Sequence, residues 1–143
     1  MPDILHDFPI AAPAAKVFAA ISTPAGLDQW WTRSSEGTPI LGNVYELFFS
    51  PQHDWRARVS RCHPNTEFEF EMVHADDDWL HTAVGFVLAE REGSTQVRFH
   101  HRGWPNAYEH YRITSFCWAM YLRLLKRYLE LGERVPYELR LEA

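Results

Sequence analysis

From about Asn106 to Leu131, residues Tyr111, Ser115, Trp118, Leu122, Leu125 and Leu129 recur at steps of four and three. That interval gathers them into one stripe on a long amphipathic helix. A stripe so long and so aromatic needs a broad apolar partner. The preceding residues, about 44 to 102, supply one in strands with apolar faces. Tyr45, Leu47 and Phe49 alternate with polar neighbours, as do Trp55, Ala57 and Val59. Phe68, Phe70 and Met72 alternate with Glu67, Glu69 and Glu71, the cleanest two-residue period in the chain. Thr82, Val84, Phe86 and Leu88 follow the acidic turn Asp76-Asp77-Asp78. Val97, Phe99 and His101 close the series. Alternation with one polar face predicts an antiparallel sheet, wet on one side and covered on the other. On the wet side, Glu67, Glu69 and Glu71 are expected to pair with Arg56 and Arg58 across strands.

The first third adds one strand and two short helices. Ile4, His6, Phe8 and Ile10 alternate, and Pro9 implies either a sheet edge or an approaching strand end. Pro13 suits a first helical turn, with Val17, Phe18 and Ile21 on one side. Thr23-Pro24 repeats the device, Thr23 as N-cap, in a helix that presents Leu27, Trp30 and Trp31. Residues 32 to 43 read as a loop. Asn106 is the expected cap of the long helix and Gly132 its terminator. A brief extended piece is expected in the tail VPYELRLEA.

The chain has 143 residues, 46% hydrophobic and 15% aromatic, enough for one domain with a substantial core. Its formal charge of -5, with no basic block, offers nucleic acid no electrostatic footprint. No stretch is apolar for long enough to insert in a membrane, and the N-terminus has no secretory pattern, so a cytoplasmic location is expected. Cys62 and Cys117 stand far apart and are expected to be reduced thiols. Eight histidines show no metal-ligand spacing, and His100 and His101 point to opposite faces of one strand. With no glycine-rich phosphate loop, nucleophile elbow or Cys/His pairing, neither metal nor cofactor is expected, and no catalytic residue is assigned.

The order of strand, two short helices, strands and long helix resembles the START-like, or SRPBCC, superfamily. The segment IAAPAAKVFAAISTPAGLDQWW looks like that family's opening. The segments TQVRFHHRGWP and FCWAMYLRLLKRYLELGE are similar to the close of one subgroup, related to the C-terminal domain of the activator of heat-shock-protein-90 ATPase. The resemblance spans residues 1–143 and implies an α+β helix-grip fold, a curved antiparallel sheet wrapped around the C-terminal helix. It also implies an apolar ligand held between sheet and helix.

Strand and helix parity turns Trp30, Trp55, Phe70, Phe86, Phe99, Tyr111 and Trp118 toward that interior. Each ring buries roughly 150–250 Å², and simple core packing is the plainer reading of any one of them. As a set they exceed what one layer requires. Trp30, Trp55, Phe70, Phe86, Tyr111 and Trp118 are therefore the expected cavity walls, with His101 as a polar anchor. The expected partner is a hydrophobic or aromatic small molecule. An enzyme of the polyketide cyclase/aromatase kind, with His101 or Tyr111 polarising a carbonyl, is the alternative, weakened by the lack of a paired acid and base. A co-chaperone-like regulator of a heat-shock-protein-90 ATPase is the third reading, though the eukaryotic co-chaperone carries a further N-terminal domain that this sequence does not show. A homodimer is also considered, with Trp79 and Trp104 as a self-association patch if both are exposed.

Overall fold

Strand alternation on this scale needs neighbours, and the chain provides them in one antiparallel sheet. A computed structural model describes residues 1–143. The strands are β1 (Ile4–Ile10), β2 (Ser34–Glu36), β3 (Val44–Ser50), β4 (His53–His63), β5 (Glu67–His74), β6 (Ala83–Arg91) and β7 (Ser94–Arg102). The helices are α1 (Ala14–Ser22), α2 (Pro24–Trp30) and α3 (Glu109–Leu131), followed by a 3-10 helix at Tyr137–Glu142. The sheet order is β1-β7-β6-β5-β4-β3-β2. β1, the first strand in this order, thus sits at an edge beside β7, in register from Ile4 opposite His101 to Ile10 opposite Thr95. Pro9 lies on that edge strand, where its missing N–H costs no ladder bond.

Curvature has a local cause. Register shifts interrupt the β4–β5 ladder twice, with an extra residue at Val73 in β5 and at Ser60 in β4, and the β3–β4 ladder once, at Phe49 in β3. Each extra residue bends its strand and deepens the twist. The concave face meets α1, α2 and α3 over a cluster of 29 buried residues. In α3 the buried line is Thr114, Trp118, Leu122 and Leu125; Ser115 is only half-buried. This is the helix-grip arrangement.

Several local expectations need correction. α3 begins at Glu109 after Tyr108; Asn106 instead accepts a bond from the Tyr108 N–H, forming a turn before the helix. Pro13 precedes α1 as its N-cap rather than its first turn. Residues 34–36 leave the expected loop to form β2, because the edge of β3 offers free backbone partners to any extended segment. The tail coils instead of extending, since the Arg140 side chain donates to the carbonyls of Val135, Thr32 and Asp28 and pulls it inward. Thr23 caps α2 by accepting from the Gly26 N–H, and Gly132 ends α3 in the left-handed conformation, both as expected.

The wet face is organised differently from its expectation too. Arg56 pairs with Glu46 and Asp54, while Arg61 lies beside Glu67 and Glu69. Glu69 is also met by His100, which reaches over β6 to place Nε2 2.7 Å from the carboxylate. That reach exists because position 85 is glycine: a Cβ there would lie 2.6 Å from His100 Nε2 and 3.0 Å from the Glu69 Cβ. Desolvation would raise the Glu69 carboxyl, but hydrogen bonds from His100 and Ser60 outweigh it and hold it below its usual range.

Candidate functional site

Between β7 and α3 the expected polar anchor is fully buried and fully used. Trp118 Nε1 donates to His101 Nδ1 at 3.0 Å, and His101 Nε2 lies 2.8 Å from Thr82 Oγ1. Thr82 Oγ1 in turn lies 2.5 Å from the Trp79 carbonyl oxygen, which only accepts. Indole N–H is donor-only, so Nδ1 must accept, Nε2 must carry the proton and the Thr82 hydroxyl must pass its own to Trp79. The ring is therefore neutral. Burial, then the neighbouring charges of His100 and His110, drops its pKa from 6.5 to about 3. No nitrogen of His101 is left for a substrate, which removes the observation that would favour its use as a proton donor. Tyr111 is committed as well, donating its hydroxyl to the Asp3 carbonyl at 2.7 Å.

One turn away, the sheet–helix seam opens to solvent in a cleft of about 230 Å³. Four tryptophans from separate elements converge there: Trp31 after α2, Trp55 on β4, Trp79 in the β5–β6 connection and Trp118 on α3. Their ring centroids stand 5.2 Å apart for Trp31–Trp118, 6.0 Å for Trp79–Trp118 and 4.7 Å for Trp55–Trp79. Thr114, Cys117 and Tyr121 complete the helical wall, on one face because they are spaced by three and four. Burial pushes the Tyr121 phenol up to about 12, so it stays a neutral donor at the wall. At the rim, His53 bridges Ser50 through Nδ1 at 3.0 Å and Asp76 through Nε2 at 3.6 Å. His110 Nδ1 lies 3.2 Å from Asp78. The acidic turn thus holds a histidine from each side of the cleft.

Of the seven residues expected at the site, Trp55 and Trp118 line this cleft. His101 stands behind it, in edge contact with Trp79 at 4.5 Å. Trp30 donates to the Ala20 carbonyl and packs on Phe86 deeper in the core; Phe70 lies against Tyr45. Tyr111 packs against Trp104, 5.5 Å away, on the other side of the helix start. Trp31 and Trp79 join the site from outside the expected set. Trp31 carried a signal in its adjacency to Trp30, whereas Trp79 follows a turn and has no periodicity to place it. Trp79 and Trp104 are 7% and 0% exposed, so they form no surface patch. Cys62 and Cys117 are both free.

The family described as activator of Hsp90 ATPase homolog 1-like protein matches residues 11–130. The chain belongs to that family. It is an Aha1-like member of the SRPBCC superfamily, and solved structures share its helix-grip fold. The Aha1 dimer from Colwellia psychrerythraea is 28% identical, with a TM-score of 0.84 over 93% of this chain and 99% of that one. Protein MLL2253 from Mesorhizobium loti is 18% identical at a TM-score of 0.80, covering 92% and 99%. CalU16 from Micromonospora echinospora is 20% identical at 0.74, covering 97% and 80%. At the latter two identities the likeness is one of fold. No curated protein matches this Aha1-like chain in sequence. None of its helices is long and apolar enough to cross a membrane.

Proposed function

We propose that this Aha1-like domain binds a small, flat, largely apolar molecule at the mouth of the seam between sheet and α3. The observation that carries the reading is the convergence of Trp31, Trp55, Trp79 and Trp118, from four elements, on one open cleft. Aromatic walls with a few polar groups at the rim are how small-molecule sites are built. At about 230 Å³ the cleft is smaller than the ~300–1,000 Å³ of sites for drug-sized ligands. It suits a ligand of one or two rings seated against the exposed edges of these packed indoles, with a polar substituent at His53 or His110. Trp30, Phe70, Phe86 and His101 then act as the support that keeps those walls in place.

The test is a thermal-shift and tryptophan-fluorescence titration with indole, naphthol and naphthoate probes. Binding raises Tm and quenches emission, and Trp55→Ala, which removes one aromatic wall of the cleft, abolishes both effects while the far-ultraviolet circular dichroism is kept. Trp118→Phe, which keeps an aromatic ring but loses part of the indole and its N–H to His101, weakens them. If no probe changes either signal at millimolar concentration, the reading fails.

Two protein partners have support of another kind. The family's name supports a regulatory contact with an Hsp90-type ATPase, measurable as a changed ATP turnover rate of the purified chaperone. The Colwellia relative, a dimer by its description, supports self-association of this chain.

A further inference from the structure

We propose that two copies of this chain pair through the outer face of α3, running antiparallel, with Phe116 at the two-fold axis. The proposal rests on the self-association reading above and adds the surface. Opposite the buried line of α3, residues Glu109, Phe116 and Arg123 follow one another at steps of seven. Two helical turns separate each from the next, about 10 Å along the axis, and all three point the same way. Phe116 is 79% exposed, the most exposed aromatic side chain among the large hydrophobic residues of the chain. Ile113, 52% exposed, and Met120 flank it on the same face. An exposed apolar strip with polar ends is the sign of a protein contact.

The charges select the partner and its direction. Glu109 and Arg123 form no ion pair within the chain, unlike Arg127, which is held by Glu133. They lie equally far from Phe116, on opposite sides, with opposite sign. A two-fold axis through Phe116 carries Glu109 onto the partner's Arg123, and Arg123 onto the partner's Glu109. A parallel pair would set Glu109 against Glu109. The strip is therefore complementary to itself in the antiparallel sense only, which is the requirement of a closed isologous dimer. Steric room exists on both sides of Phe116. One shallow depression is lined by Glu109, Arg112 and Ile113, and a groove of about 340 Å³ runs between Ala119, Met120 and Leu124 and the tail residues Leu141, Glu142 and Ala143.

Sedimentation equilibrium across a micromolar-to-millimolar series tests the pairing. The wild type is expected to dimerise, and Phe116→Asp to raise the dissociation constant roughly 30-fold or more, as loss of a central aromatic anchor does. Glu109→Arg and Arg123→Glu each weaken the dimer. Combined in one chain they restore it to within about threefold, because the pairs re-form with exchanged sign. A wild type that stays monomeric throughout overturns both this surface and the self-association reading. A dimer indifferent to Phe116→Asp, in protein of unchanged circular dichroism, overturns this surface alone. Two single swaps without recovery in the double swap overturn the antiparallel arrangement.

Discussion

At the scale of single residues, adjacent histidines do opposite things. Parity on β7 sends His100 to the wet face and His101 to the core, and that much is legible in the sequence. Their partners are not, because Glu69 and Trp118 are brought to them by register and helix docking. His100 needs the bare backbone of Gly85 beneath it. Gly85→Ala is expected to cost about 1–3 kcal/mol by overpacking, read as a lower urea midpoint; an unchanged midpoint would mean that the ring relocates freely. His101 sets a pH dependence with a definite sign. The unfolded chain accepts its proton near 6.5, the folded chain only at about 3. Between those values the unfolded state holds the extra proton, so acid favours unfolding. The loss amounts to about 1.4 kcal/mol per pH unit as the pH falls across that window. Denaturant titrations of wild type and His101→Gln check it: the difference in their stabilities should shrink as pH falls from 6.5 toward 3, and a constant difference contradicts the assignment.

At the scale of elements, periodicity located β1, β3 to β7 and α3, since their apolar residues all answer to one covered face. It failed where structure depends on a distant partner. β2 is three polar residues with no alternation, held by the β3 ladder and by the Ser35 hydroxyl donating to Asp28 of α2, and the tail coils because one arginine finds three carbonyls. Arg140 is buried and stacks its guanidinium 5.4 Å from the Tyr137 ring. Lysine has neither the fork of donors nor the flat cation. Arg140→Lys is therefore expected to free residues 133–143 and to speed amide exchange in the tail several-fold, with little change in exchange at the centre of the sheet. Equal protection in both proteins would show that the tail is held by its apolar contacts instead. The cleft suffers from the same limit of legibility: helix spacing finds Trp118, but Trp79 arrives from a connection whose course no local pattern records.

At the scale of the whole molecule, sheet, helices and cleft form one thermodynamic object, and the α3 dimer would join two of them. If folding and pairing are linked, Tm must rise with protein concentration. A ten-fold dilution series followed by calorimetry is expected to show this for the wild type and not for Phe116→Asp; a Tm independent of concentration in both would leave the folded monomer as the stable unit.

The place of β1 also has a consequence for how the protein is made. This strand is made well before its neighbour in the sheet, β7, which begins at Ser94. Lys126 and Glu130, which bond the Pro9 carbonyl and the Ala11 N–H, come later still. Ile4, Phe8 and Ile10 must therefore stay unclaimed until β7 follows, a slow and long-range closure of the kind that exposes nascent chains to aggregation. Until β7 is made, the growing polypeptide carries an unmated hydrophobic ribbon, so the sheet cannot close on that edge before the last strand arrives.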